Sequence, residues 1–263
     1  MAVFVIAEGG CNHGGSISTA WQLAEAAKDA GADAVKFQHF NSRRLWGDDR
    51  ITHLELSDAE MVSLTWRCKE IDIEFMCTPF GVQEVEFLTP LVKRWKVASG
   101  CLTRWDLLAA VRATGLPVIL STGMSDMDRI QGAVDALGAP TLLHCTSAYP
   151  CPAAEVNLTA MDALRARWGA FCPVGYSDHT AGIVIALAAV AMGATVIEKH
   201  LTLDRQAEGP DHKASIEPKE FRVMIEGIRD VEQALGDGRK RVMKSEEPLR
   251  RLWHVAPKID RTA

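Results

Sequence analysis

The sequence predicts a single-domain α/β protein, a (β/α)8 TIM barrel, and three observations predict it. Eight short runs rich in Val and Ile recur along the chain, each ending in polar residues. A stretch of helical character separates each run from the next, on the scale of one strand–helix unit. The length, 263 residues, fits one such barrel of about 250 residues. Runs of this kind, apolar on both faces and bounded by turn residues, are what a buried parallel strand requires. Eight strand–helix units in series close most simply into a barrel, with an open doubly wound sheet as the alternative.

Taken in order, the runs are Val3–Glu8, Asp33–Gln38, Ile73–Thr78, Trp95–Ser99, Pro117–Thr122, Thr141–Thr146, Val174–His179 and Thr195–His200. After the first, Ile17, Ala20, Leu23, Ala24, Ala27 and Ala30 mark one apolar face at helical spacing, and Gly31 ends that helix. The same glycine-then-strand join recurs at Gly115, Gly138 and Gly193. Two long connections, residues 39–57 and 147–157, follow the second and sixth strands and belong over the C-terminal mouth. A third, Asp204–Ser215, follows the eighth strand. A last helix is expected over Pro218–Leu235, so residues 1–240 form the barrel and 241–263 a short tail with no second domain.

Composition narrows the function. Lys and Arg number 29 against 34 Asp and Glu, a net charge of −5, and no basic stripe is present, which argues against nucleic acid or anionic membrane as the partner. The uncharged stretch Gly182–Ile197 is shorter than the roughly 20 apolar residues a spanning helix needs and reads as a helix followed by a strand. The first residues, MAVFVIAEGG, lack the charged start of a signal peptide. Seven cysteines without a CxxC pair suit free thiols in a reducing cytoplasm. No P-loop and no strand-associated GxGxxG supports nucleotide binding.

Polar residues gather at the strand ends: Glu8, Lys36 with Gln38, Thr78, Lys96 with Ser99, Ser121, Thr146, Ser177 with His179, and Glu198 with His200. Strand ends converge on one mouth in a barrel, so residues distant in sequence become one pocket. Because side chains alternate, Ser177 and His179 share a direction, as do Glu198 and His200. His179 and His200 then approach each other from adjacent strands, and two imidazoles with open positions suit a divalent metal. Lys36, Lys96, Ser99, Ser121 and Ser177 form a cradle for a phosphate or carboxylate. His13 and His144 are expected to be structural, although His144 could also face inward.

Several strings resemble the sialic acid synthase family, which includes N-acetylneuraminate synthase and its legionaminic and pseudaminic relatives. They include AEGGCNHGG at 7–15, KVASG at 96–100, LLHCTSAYPCP at 142–152, VGYSDHTAGI at 174–183, GATVIEKHLTLDR at 193–205 and GPDHKASIEP at 209–218. The resemblance implies condensation of phosphoenolpyruvate with an N-acetylated hexose aldehyde, N-acetylmannosamine-like, to a sialic-acid-like keto acid plus phosphate. It implies a divalent metal held by His179 and His200, manganese first, with Mg2+ and Co2+ as alternatives. It assigns phosphoenolpyruvate to Lys36, Thr78, Lys96, Ser99, Ser121 and Ser177. Glu8, Gln38, Tyr149 and Asp211 would face the sugar and the attacking water, and Ser147 joins the substrate-binding set from the sixth-strand loop.

The sequence departs from that family's pattern in two places. Cys101 stands where an acidic residue usually follows KVASG, which removes a carboxylate expected near the sugar. The family normally continues into an antifreeze-like C-terminal domain, so the expectation here is a barrel-only member. Its partners would be a second copy of the chain or a separate antifreeze-like chain. The rival readings are a synthase for a different acceptor sugar, a non-catalytic sugar- or phosphate-binding barrel, and a metal-dependent barrel hydrolase.

Overall fold

The computed structural model describes residues 2–253. Its eight strands are β1 (Phe4–Gly10), β2 (Ala34–His39), β3 (Glu74–Pro79), β4 (Trp95–Val97), β5 (Val118–Ser121), β6 (Thr141–Cys145), β7 (Val174–Asp178) and β8 (Val196–His200). Each lies within two residues, at either end, of the run that predicted it. The first five helices are α1 (Ile17–Ala30), α2 (Ser42–Trp46), α3 (Asp58–Glu70), α4 (Val82–Leu88) and α5 (Trp105–Ala113). The rest are α6 (Met127–Leu137), α7 (Ala160–Trp168), α8 (Val184–Ala191), α9 (Pro218–Leu235) and α10 (Glu247–Trp253).

The strands are all parallel and run in the order β3-β2-β1-β8-β7-β6-β5-β4, with β3 and β4 side by side to complete the ring. The chain is therefore a nearly closed (β/α)8 barrel in one domain. The local signals behave as expected. The Ser16 hydroxyl accepts from Thr19 N at 3.3 Å to cap α1, and the helix buries Ala20, Leu23, Ala24, Ala27 and Ala30. Gly31 ends it at φ 92°, in the left-handed region where a Cβ would clash with the backbone.

Two layers of packing set up the mouth. The main core lies between sheet and helices and holds residues such as Phe37, Trp95, Leu120, Tyr176 and Phe221. A smaller apolar plug fills the lower lumen: Ile6, Ala34, Met76, Ile119, Leu143 and Val196. Gly175 completes this plug. A Cβ there would lie 2.4 Å from Val196 O and 2.7 Å from a Leu143 methyl.

Moving two residues up each strand from the plug keeps the same direction, by alternation. That step leads to Glu8, Lys36, Thr78, Ser121, Cys145, Ser177 and Glu198 in turn. The sequence thus writes a dry floor and a polar mouth into the same strands.

The long connection 39–57 is not featureless, since α2 forms within it, capped by the Asn41 side chain and ended by Gly47. Of the expected tail, residues 244–253 carry a short 3-10 turn and α10; residues 254–263 lie outside the described residues. Among the described residues no helix is long and apolar enough to cross a membrane. All seven cysteines are free and buried.

Candidate active site

A cavity of about 300 Å³ opens at the C-terminal mouth. Of the residues singled out from the sequence, it is lined by Glu8, Lys36, Gln38, Thr78, Lys96, Ser99, Ser121, Ser147, Tyr149, Ser177, His179 and His200. Asp211 lies at its edge, with Oδ2 3.9 Å from His200 Nδ1. Every strand supplies at least one of these residues from its end or the loop after it, β6 through Ser147 and Tyr149, and β6 itself places Cys145 there.

The buried cations of the cavity are matched by carboxylates. Lys36 Nζ is ion-paired with Glu8, donates to Thr78 Oγ1 at 2.8 Å, and lies 3.9 Å from Glu198 Oε2. Lys96 Nζ donates to Ser121 Oγ at 2.7 Å and sits 3.5 Å from Glu198 Oε1. Ser177 Oγ donates to the same Glu198 oxygen at 3.0 Å, and Gln38 Nε2 donates to Glu8 Oε1 at 3.3 Å. Two ammonium groups thus face two carboxylates, all four buried.

Burial raises the Glu8 carboxyl to about 7; Lys36 pulls it down in part, and Glu198 pushes it further up. Burial also opposes the charge on Glu198, but Lys36 and Lys96 together outweigh it and hold that carboxyl below its usual range. Lys96 is lowered by burial against the pull of Glu198. Lys36 loses to burial but gains more from Glu198 and Glu8, and ends raised. Two similar acids with opposite shifts divide the roles, one able to exchange a proton near neutrality and one fixed as an anion.

The two histidines meet as alternation requires, their ring centroids 5.5 Å apart. His179 Nδ1 bonds the Thr146 carbonyl at 2.8 Å, which leaves Nε2 for the cavity. The buried His200 Nδ1 has no hydrogen-bond partner, and burial lowers the imidazole's affinity for a proton. The Tyr149 ring stacks on His179 at 4.1 Å between centroids and meets His200 edge-on at 5.8 Å. An imidazole nitrogen left free on each ring suits a divalent cation. Among the described residues no three His, Cys, Asp or Glu side chains converge in ligating geometry.

The structure also brings in residues that the sequence reading left out, Phe80, Met124, Cys145 and Gly100, and it sets Glu198, already a polar strand end in the sequence, between two lysines. Alternation from Leu143 could have found Cys145. Phe80 and Met124 are apolar residues of the turns after β3 and β5, and the sequence carries no signal for them. Cys101 is buried and does not line the cavity. His144 faces outward, with Nε2 2.7 Å from Val156 O, and His13 accepts from Gly15 N through Nδ1 at 3.0 Å in the loop after β1; both are structural.

The chain is similar to several known synthases. N,N'-diacetyllegionaminic acid synthase of Legionella pneumophila is 40% identical over 96% of this chain and 78% of its own length. The N-acetylneuraminate-9-phosphate synthase of Homo sapiens is 35% identical over 92% of this chain and 74% of its own. The crystal structure of N-acetylneuraminic acid synthetase from Leptospira borgpetersenii, in complex with citrate, superposes with a TM-score of 0.89 at 37% identity, covering 96% of this chain and 91% of that one. The pattern of the NeuB family matches residues 23–240. The resemblance drawn from the strand-end strings is therefore upheld: the chain belongs to the NeuB family.

Proposed function

We propose that this protein condenses phosphoenolpyruvate with the open-chain aldehyde of an N-acetylated amino sugar, N-acetylmannosamine-like. The products are a sialic-acid-like nonulosonic acid and inorganic phosphate. The observation that carries the reading is the pairing, in one cavity, of Lys36 and Lys96 among hydroxyls with the His179–His200 couple. The lysines match a substrate that is both a carboxylate and a phosphate ester. The two curated relatives described above are both named as synthases of such acids.

Lys36 and Lys96 exchange Glu8 and Glu198 for substrate oxygens as phosphoenolpyruvate enters, while Thr78, Ser99, Ser121 and Ser177 orient those oxygens. The enol C3 bonds to the aldehyde carbon, whose oxygen becomes a hydroxyl. Water adds at C2; one of its protons ends on the former aldehyde oxygen, and the other leaves with phosphate as the C2–O bond breaks and C2 becomes a ketone. Glu8 orients that water and accepts its proton, a task suited to a carboxyl near neutrality. Glu198 accepts from Ser177 Oγ and keeps that side chain in place.

His179 and His200 would hold a divalent cation, manganese first, which when bound supplies Lewis-acid polarisation of the aldehyde oxygen. Gln38, Tyr149, Ser147 and Asp211 face the sugar. We place the reaction in the cytoplasm, where seven free thiols persist.

The test is phosphate release from a mixture of protein, Mn2+, phosphoenolpyruvate and a panel of N-acetylated hexoses. The expected result is release that depends on both aldehyde and metal. Silence across mannosamine-type and bacillosamine-derived sugars would overturn the proposal. Release that needs no aldehyde would point to hydrolysis instead.

A further inference from the structure

Each histidine of the couple is preceded in the chain by a charged residue that the reaction does not use, Asp178 before His179 and Lys199 before His200. They lie opposite each other in the β7–β8 register. Alternation turns them away from the lumen, in the same direction as Tyr176 and Ile197 of the outer core. Both are completely buried. An unpaired charge there would be strongly destabilising, and two well-packed apolar residues would serve stability at least as well as an ion pair. A stability argument alone therefore does not account for it.

The bonding of the pair indicates its role. Lys199 Nζ donates to Asp178 Oδ2 at 2.9 Å and also to the Thr180 carbonyl. Asp178 Oδ1 accepts from Thr180 N at 2.9 Å, Thr180 Oγ1 at 2.8 Å and Tyr176 OH at 3.2 Å. The Asp178 carboxylate thus reaches across His179 to grip the next residue, and the lysine that precedes His200 grips that same residue. The His179 carbonyl is held in turn by Cys151 N at 2.8 Å, which ties in the loop bearing Tyr149. The spacing between the two rings is set from behind, through the backbone of both strands.

We propose that the buried Asp178–Lys199 pair is a positioning clamp, fixing the separation of His179 and His200 so that both can ligate one cation. The inference rests on the reading of those histidines as metal ligands. It makes Asp178 and Lys199 positioning residues, since neither touches the substrate cavity. Supporting groups one step behind metal ligands typically contribute about 10–100-fold to metal affinity.

The experiment compares wild type with Lys199→Met, Asp178→Asn and the double variant. Mn2+ affinity is followed by the electron paramagnetic resonance signal of free manganese, and phosphoenolpyruvate affinity by calorimetry without metal. Thermal unfolding is recorded for all four proteins. The expected result is Mn2+ binding weakened about 10–100-fold in every variant, with phosphoenolpyruvate affinity within about threefold of wild type. The double variant should recover thermal stability relative to the single variants without recovering Mn2+ affinity, which a purely structural pair would not produce.

Folded variants with unchanged Mn2+ affinity would overturn the clamp. So would a parallel loss of metal and phosphoenolpyruvate affinity, or failure of all three variants to fold, since the pair would then serve the barrel as a whole. A wild type that binds no manganese would instead overturn the metal reading on which the clamp depends.

Discussion

Replacing Glu8 by Gln should change how stability depends on pH, and the structure fixes the sign and the size. Burial raises the Glu8 carboxyl from its ordinary 4.5 to about 7. Between those values the native state holds a proton that the unfolded chain has released. Stability from this group is therefore fully present below about pH 4.5 and is lost as the pH rises through about 7. Two and a half pH units at 1.36 kcal/mol each amount to about 3 kcal/mol.

Glutamine mimics the protonated acid and can still accept from Gln38 Nε2, so the variant should lack this loss. Glu198 is held low and completes its contribution below pH 5. His13, lowered by burial to about 4, adds stability between about pH 4 and 6.5 in both proteins and cancels in the comparison. The assay is urea unfolding followed by tryptophan fluorescence at pH 5 and pH 8. From pH 5 to pH 8, a window that opens just above 4.5, wild type should lose about 2 to 3 kcal/mol more than Glu8→Gln. Its Tm should fall further by a few degrees for each kcal/mol. A difference under about 1 kcal/mol, or of opposite sign, would refute the description of Glu8 as a buried, proton-holding acid.

Lys96→Met should weaken phosphoenolpyruvate binding roughly 10–100-fold, as removal of one charged hydrogen-bond donor implies; calorimetry measures it, and unchanged affinity would remove Lys96 from the cradle. Gly123→Ala tests the space around the same substrate. Its Cβ would lie 2.5 Å from Ser147 Oγ and 2.9 Å from Ser99 Oγ, so KM for phosphoenolpyruvate should rise at least about tenfold with Tm nearly unchanged. Gly31→Ala, at φ 92° and far from the mouth, should cost about 1–2 kcal/mol in unfolding experiments and leave turnover intact.

Much of this was legible in the sequence because a barrel strand is doubly constrained. It is buried on both faces, which makes it an apolar run, and its lumen face must change from plug to mouth within two residues. The steps Ile6 to Glu8, Ala34 to Lys36 and Met76 to Thr78 are that change written out. The pair His179 and His200 could be placed together from alternation alone.

What escaped the sequence depends on three-dimensional convergence or on loop geometry. Glu198 was visible as a polar strand end, but its position between two lysines from β2 and β4 has no local signature. Met124, at φ 58°, and Phe80 are set by turns. The helix within residues 39–57 is a single short turn capped by Asn41, too brief for a periodic signal. The Asp178–Lys199 pair escaped for the opposite reason. Nothing local marks charges on two neighbouring strands as partners, and only the register that sets Asp178 opposite Lys199 shows the pair.

The most direct measurement is a crystal structure of the protein soaked with Mn2+ and phosphoenolpyruvate, with anomalous diffraction recorded at the manganese edge. The account predicts an anomalous peak between the His179 and His200 rings and the phosphoenolpyruvate oxygens beside Lys36 and Lys96. Manganese bound elsewhere, or phosphoenolpyruvate seated away from both lysines, would contradict it.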